Sequence, residues 1–176
     1  MKKRGQNLVE FAAIIPLLVF LIFSIIEFSM YWATVNAVQG IALNTSTKMA
    51  SVYVSETSGS NDAVDKALSL IKTNSKFLGE EVTFNDISTD ITTRPFAVYK
   101  YESSQTRNTD AGSKPVMTVT IDYRDPYKEG ITLQLTYQYR TILLGVKLPI
   151  PGKNPIAIIP KDIKITSTKT QQYNSY

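Results

Sequence analysis

The sequence predicts an α+β protein with a long N-terminal transmembrane and stalk helix, then a small domain that holds one short helix and an antiparallel β-meander of about four strands. Two observations predict this fold class. Residues 11–30 form an almost unbroken apolar run, and residues 117–124 and 131–140 alternate apolar with polar side chains. The run covers roughly 30 Å as a helix, which matches the bilayer hydrocarbon, and period-two alternation is typical of half-buried strands.

The residues at the two ends of the apolar run predict its orientation. The basic residues before it are Lys2, Lys3 and Arg4. Tyr31 and Trp32 follow it directly, and such rings settle at the level of the lipid headgroups. Because cytoplasmic flanks carry an excess of Lys and Arg, we expect a single pass through the inner (cytoplasmic) membrane. The N-terminus then lies in the cytoplasm and the chain beyond Tyr31 lies outside.

Two acids lie at the edges of the run. Glu10 stands at its start and Glu27 near its far end, positions that lower the cost of about 2.5–3.5 kcal/mol for an ionised group at the bilayer centre. From its position alone, Glu10 has two equally good explanations. One is attraction to the positive end of the helix macrodipole without any partner, and the other is pairing with another group. For Glu27, the sequence favours a carboxylate in interfacial water over a second intersubunit contact.

The helix is expected to continue out of the membrane as an amphipathic stalk to about residue 51. Apolar and small residues recur there at helical spacing, namely Val35, Val38, Ala42, Thr45 and Met49. Residues 52–60 are turn-forming and predict a linker. A second helix is expected to start at Ser60 or Asn61, to place Val64, Leu68 and Ile71 on one face, to end at Gly79 and to cover one face of the sheet.

The remaining strands are predicted over residues 96–102 and 162–170, flanking the two alternating segments. Residues 103–114 lack apolar periodicity and predict an exposed loop, and residues 125–130 predict a turn. Residues 142–160 are apolar but contain four prolines, which excludes a regular central strand. A loop closing over the core is the favoured interpretation of this segment, and a contact surface for a partner subunit is the alternative.

Composition argues against several functions. The chain has no Cys and no His, so it has no disulfide and lacks the commonest general base and metal ligand. Three of the four excess positive charges belong to Lys2, Lys3 and Arg4, which leaves no basic patch for nucleic acid. The acids Glu80, Glu81, Asp86 and Asp90 are expected to be solvated. We therefore expect no enzyme, no cofactor and no metal site.

The N-terminal residues resemble a known signal and a known family. The relevant strings are Gly5-Gln6-Asn7-Leu8-Val9-Glu10-Phe11-Ala12-Ala13, Pro16-Leu17-Leu18 and Ile26-Glu27-Phe28. A basic leader ending in Gly5, with Glu10 and Phe11 beyond it, resembles a type IV prepilin signal. The fuller pattern resembles the TadE family of minor pseudopilins in tight-adherence (Flp, type IVb/IVc) pilus systems. Phe11 stands where the major Flp pilins commonly carry Tyr, which fits the pseudopilin branch.

The resemblance implies processing and assembly. A prepilin peptidase would cut between Gly5 and Gln6, removing a leader of residues 1–5 and leaving a transmembrane and stalk helix of residues 6–51. The linker of residues 52–60 and an extracytoplasmic domain of residues 61–176 would follow, in a type IV pilin-like arrangement. Glu10 would pair with the new amine at Gln6 of a neighbouring subunit. The implied partners are the peptidase, other minor pseudopilins, the major Flp pilin, the inner-membrane platform and its assembly ATPase, and the chain would enter the pilus or its initiating complex.

Three alternatives compete with this interpretation. A cleaved secretory signal is disfavoured because the apolar run exceeds the roughly 7–15 residues of its usual hydrophobic region. An uncleaved membrane-anchored extracytoplasmic binding module would keep Met1 and tolerate loss of Glu10. A membrane-tethered enzyme would need a carboxylate pair or a Ser/Lys dyad in the β domain, and no spacing in the sequence supports one.

Overall fold

A single helix, α1, dominates the N-terminal half of the fold. The computed structural model describes residues 2–51, 61–88, 98–109, 112–123, 130–142, 147–150, 153–157 and 162–172, with the backbone alone at residues 2–9, 61, 147–150 and 153–157. Helix α1 spans Lys2–Ala50 and contains Pro16. Ser24, Ser29 and Thr34 each donate a 2.8 Å hydrogen bond to the carbonyl four residues earlier. Their hydroxyls are therefore satisfied inside the helix, as an apolar environment requires.

Helix α2 follows as a short amphipathic element. It spans Asn61–Ser75 and leads into a 3-10 turn over Lys76–Leu78. Gly79 ends it as predicted, with φ of 74° and an N–H that donates to the carbonyl of Lys76 at 3.0 Å. Val64 and Ile71 are buried and Leu68 is half-buried, so the expected face is confirmed. Helix α2 packs against α1, and its buried residues belong to the same hydrophobic core as the inner face of the sheet.

Nine strands lie in the described part of the chain. Their bounds are β1 Phe84–Asp86, β2 Val98–Ser103, β3 Thr106–Thr109, β4 Gly112–Pro115, β5 Met117–Asp122, β6 Ile131–Arg140, β7 Lys147–Ile150, β8 Lys153–Ala157 and β9 Asp162–Gln171. Five of them form one antiparallel sheet in the order β1-β2-β5-β6-β9. The α+β class and the antiparallel meander are thus confirmed, with β1 as an edge strand that the sequence did not indicate.

The core lies between the inner face of the sheet and the distal half of α1. Helix α1 packs mainly on β6 and β9. Four of the stalk residues predicted to share a face are fully buried and Val35 is half-buried. They meet the alternate residues of β5 and β6, of which Val119, Ile121, Leu133 and Leu135 are completely inaccessible. The apolar stripe of α1, with its period of 3.6 residues, therefore packs on the inner face of the sheet, where apolar residues alternate with a period of two.

The predicted loop at residues 103–114 is in part a hairpin, so that expectation is wrong. Strands β3 and β4 pair from Thr106 with Pro115 to Thr109 with Gly112. Both strands are largely exposed, and for that reason they carry no apolar alternation that a sequence pattern would reveal. Arg107 fastens the hairpin to the main sheet, since its guanidinium binds Glu80 and the carbonyl of Gln138 and stands 5.4 Å from the ring centre of Tyr137.

The proline-rich segment also contains paired strands rather than the expected loop. Strands β7 and β8 form a separate two-stranded hairpin outside the main sheet, with an irregular register between Leu148 and Ile150. Pro149 occupies that irregularity, because a proline cannot donate to a ladder. The prediction that this segment supplies no strand to the central sheet is correct for the strands the structure describes.

Several predictions fall outside the described residues. They concern Met1, the linker of residues 52–60, Asp90, the first two residues (96 and 97) of the strand predicted where β2 lies, most of the turn at residues 125–130, and residues 143–146, 151–152 and 158–160 of the proline-rich segment. The division of the chain at residues 5, 51 and 60 stays a prediction.

Candidate anchoring and assembly site

The first half of α1 presents an apolar surface to its surroundings on all sides. From Phe11 to Phe23 every side chain is exposed, with Phe11 at 65% and Leu17 at 68%. The helix from Glu10 to Ala50 is long and apolar enough to cross a membrane, with a mean hydropathy of 2.6 in its most apolar window. Because monomeric soluble proteins rarely expose so large an apolar surface, this half of α1 fits a lipid environment better than water.

The predicted processing and assembly residues lie at the start of this surface. The backbone of Gly5 and Gln6 is helical, as is that of Lys2, Lys3 and Arg4. Glu10 and Phe11 are adjacent exposed residues of α1. Glu10 lies about one helical turn beyond Gln6, so its side chain is on the same stretch of helix surface as the predicted new amine.

Glu27 lies in a different environment from the one predicted. It is only 9% exposed, although its neighbours Ile26 and Phe28 are exposed. The Tyr139 hydroxyl donates to Glu27 Oε1 at 3.0 Å, and the backbone N–H of Ile142 donates to Oε2 at 2.7 Å. The expectation that this carboxylate sits in water is therefore wrong. Both of its oxygens bind the β domain of the same chain, at the point where strand β6 ends.

Aromatic rings surround this junction. Tyr31, one turn beyond Glu27, packs edge-on against Tyr139 with ring centres 5.6 Å apart. Trp32 faces away from the domain, is 57% exposed and stacks on Phe28 at 6.4 Å. Of the two rings predicted for the membrane interface, Trp32 thus remains open to the surroundings, whereas Tyr31 belongs to the contact between helix and sheet.

The junction perturbs the acid–base behaviour of Tyr139. Burial, followed by the hydrogen bond to Glu27 and the negative charge of that carboxylate, raises the pKa of Tyr139 to about 12. Each of these causes disfavours the phenolate, because a second anion beside Glu27 would be poorly solvated and repelled. At neutral pH the hydroxyl keeps its proton and acts as a donor to the carboxylate.

Sequence reasoning singled out Glu27 but missed its partners. The available signal was the acid itself, since an ionisable residue in an apolar run requires a partner. Tyr139 lies on the inward face of a predicted strand, but its position against residue 27 depends on contacts more than 100 residues apart along the chain. The donor at Ile142 is a backbone group, which no side-chain pattern identifies.

The other acids and cavities offer little chemistry. Glu80 is bound to Arg107, and no group of three acids, His or Cys that could hold a metal occurs among the described residues. A groove of about 260 Å³ between α1 and α2 has six lining residues: Ala37, Gly40, Ile41, Asn44, Asn74 and Phe77. This lining carries no acid, base or nucleophile, so the groove has none of the groups that acid–base or covalent catalysis uses.

These features place the chain in a class of proteins: α+β proteins with an N-terminal helix that is long and apolar enough to cross a membrane. The family comparison then gives a narrower result. Residues 5–45 match the family model described as TadE-like protein, which confirms the resemblance inferred from the N-terminal motifs. The match begins at Gly5 and lies entirely within α1, so it includes Glu10 and Glu27 but none of the sheet. No curated protein and no solved structure matches the chain.

Proposed function

We propose that this chain is a minor pseudopilin of a tight-adherence (Flp) type IV pilus, cut by a prepilin peptidase between Gly5 and Gln6. The proposal rests mainly on two findings about the same helix: the TadE-like match starts at Gly5, and every side chain from Phe11 to Phe23 is exposed. A glycine before the scissile bond suits a protease cleft, since no side chain obstructs the backbone there. The chain is the substrate of this chemistry and catalyses none itself.

In this proposal Glu10 directs assembly. Cleavage creates an amine at Gln6, and a carboxylate about one turn away can bind the amine of a neighbouring subunit within the membrane. Such a pair fixes register, because an unpaired charge in an apolar environment is far more costly than an exposed one. The partners are other minor pseudopilins, the major Flp pilin, the inner-membrane platform and the assembly ATPase, with the β domain outside the cell membrane.

The test of processing is the intact mass of the chain isolated from native membranes. We expect a mature chain that begins at Gln6 in the wild type and an uncut chain in Gly5→Ala. Gly40→Ala is the matched control, because a Cβ at this helical glycine meets no atom within 4 Å. It should be processed normally. A wild-type chain that retains Lys2 would contradict the proposal and favour an uncleaved membrane-anchored binding module.

The test of assembly is copurification of the mature chain with the other pseudopilins. Glu10→Ala should be processed but recovered with its partners in at least tenfold lower yield, a loss of about 1.4 kcal/mol or more. Glu81→Ala, an exposed acid of the β domain, is the control and should assemble normally. Equal recovery of both variants would remove Glu10 from the proposal while leaving the cleavage result intact.

A further inference from the structure

The Glu27 junction fixes the height of the β domain along α1. Strand β6 ends at Arg140, which pairs with Asp162 at the start of β9, and two residues later the N–H of Ile142 binds Glu27. Tyr139 on the same strand binds Glu27 as well. This end of the sheet is therefore held beside the apolar half of α1, whereas the opposite end of the core lies near Met49.

The junction lies near the outer end of the predicted span. Residues 11–30 cover roughly 30 Å as a helix, which matches the hydrocarbon core of a bilayer. Glu27 lies about one turn before the end of this span, and Phe28 and Trp32 beside it are exposed. Because Ile142 binds Glu27, this end of the sheet lies close to the outer surface of the membrane in the proposed arrangement.

The hairpin β7–β8 leaves the sheet at this same end. The chain from Ile142 to Lys147 reaches at most roughly 18 Å, and so does the chain from Ala157 to Asp162. The hairpin therefore lies within roughly 18 Å of this end of the sheet, close enough to reach the level of Glu27. Its register pairs Leu148 with Ile156 and Ile150 with Lys153. The two strands contain Lys147 and Lys153 but no acid, so the hairpin is both apolar and positively charged.

We propose that the hairpin β7–β8 and Ile142 form a foot that rests on the bilayer and binds anionic lipid headgroups. Apolar residues with neighbouring lysines suit the boundary between headgroups and acyl chains, where an anionic surface attracts each lysine. Ile142, 46% exposed beside the buried Glu27, continues the apolar surface of α1 onto the domain. The foot gives the domain a second contact with the membrane, in addition to α1.

This inference rests on the membrane anchoring in the proposed function but not on cleavage at Gly5. Because the chain contains no Cys, single cysteines can be labelled at chosen positions. We would attach an environment-sensitive fluorophore to Ile156→Cys in the full chain, reconstituted in phosphatidylcholine vesicles with phosphatidylglycerol. Phe20→Cys, on the exposed apolar helix, is the control for lipid, and Asn85→Cys, exposed on β1, is the control for water.

We expect the label at residue 156 to emit at shorter wavelength than the label at residue 85 and to resist an aqueous quencher. If the label at residue 156 is quenched like the label at residue 85 while the label at residue 20 stays protected, the hairpin does not contact lipid. That result would contradict the foot but not membrane anchoring by α1. Quenching at residue 20 as well would overturn membrane anchoring itself. Protection at residue 156 in native membranes but not in lipid vesicles would mean that a protein covers the hairpin, which also overturns the lipid assignment.

The charge requirement has its own test. Replacing both Lys147 and Lys153 by Gln should abolish any extra protection that phosphatidylglycerol gives over phosphatidylcholine alone. The matched variant replaces Lys100 and Lys114, exposed lysines of β2 and β4, and should retain that protection. Equal behaviour of the two double variants would show that the hairpin lysines do not bind headgroups.

Discussion

Glu27 adds a polar contact to the apolar packing between helix and sheet. A carboxylate in an apolar helix is tolerated there because the domain supplies two donors, one from a tyrosine hydroxyl and one from the backbone. Without the domain, the same side chain would face lipid or the membrane interface. The residue thus fixes the position of the end of strand β6 along α1.

Removing the Glu27 carboxylate should weaken this contact measurably. In Glu27→Ala, the buried Tyr139 hydroxyl and the part-buried Ile142 N–H lose their acceptor, and a buried unpaired donor costs about 1–3 kcal/mol. Glu27→Gln keeps one acceptor oxygen and should lose less. The measurement is denaturant unfolding of the detergent-solubilised chain, followed by fluorescence of Trp32, the single tryptophan. Stability equal to that of Glu81→Ala would contradict the role of Glu27.

The raised pKa of Tyr139 predicts a loss of stability in strong base. Between the ordinary tyrosine pKa of 10.0 and the value of about 12 in the folded chain, the unfolded state releases a proton that the folded state retains. The free energy of unfolding therefore falls as pH rises through this window, by about 2–3 kcal/mol if the full shift is expressed. Below pH 10 the contribution is fully present.

The comparison of wild type with Tyr139→Phe isolates this effect from the other tyrosines. The variant should be less stable at neutral pH, and the difference between the two proteins should shrink as pH rises from about 10 to about 12. A difference that does not change with pH would show that Tyr139 titrates normally.

At the scale of elements, the turn before β6 depends on one glycine. Gly130 has φ of 81°, and a Cβ at this position would meet the carbonyl oxygen of Gln171 at 2.5 Å. Gly112, at the turn of the polar hairpin, has φ of 101° but open space around it. The two glycines share the backbone conformation and differ in their surroundings, so they form a matched pair.

We expect Gly112→Ala to cost about 1–2 kcal/mol, from the conformation alone. Gly130→Ala should cost about 2–4 kcal/mol, because the end of β9 must also move away from β6. Chemical denaturation of both variants measures the difference. Equal costs would mean that the close approach of Gln171 is relaxed without penalty.

Elements that bury one face were predictable, whereas those without a buried face were not. The stripe of α1 and the alternation of β5 and β6 reflect contacts with the core, so the sequence records them. The hairpin β3–β4 is held by its backbone ladder and by Arg107, neither of which leaves a periodic pattern. Strand β1 has only three residues, too few for a pattern to be recognised.

At the scale of the whole molecule, the two halves of α1 differ: the first is apolar enough to cross a membrane and the second belongs to the core. Its first half is exposed, and its second half contributes buried residues to the core: Val38, Ile41, Ala42 and Met49. The β domain therefore lacks part of its own core unless the distal half of α1 is present. Residues 52–60 separate the helix from the domain along the sequence, but the distal half of the helix still packs into the core of the domain.

This division predicts the outcome of two truncations. A chain beginning at residue 26 keeps Glu27 and every buried residue of α1, and should fold cooperatively. A chain beginning at residue 51 lacks Val38, Ile41, Ala42 and Met49. Burial of each large apolar side chain stabilises the fold by about 1.5–3 kcal/mol, and the typical total stability of a domain is about 5–15 kcal/mol. We expect this shorter chain to lose amide protection in β6. Hydrogen exchange measures both, and protection of β6 in the shorter chain would contradict a shared core.

The sequence by itself determined the apolar helix, its amphipathic continuation, the short second helix, the principal strands and the TadE-like character of the N-terminus. Each of these is encoded locally, by composition or by a period of a few residues. Only the tertiary structure decided that Glu27 is bound by Tyr139 and Ile142, that α2 packs on α1, and that the proline-rich segment holds a hairpin outside the main sheet. These depend on contacts between residues far apart in the chain, and a pattern within one segment carries no information about the segment it will meet.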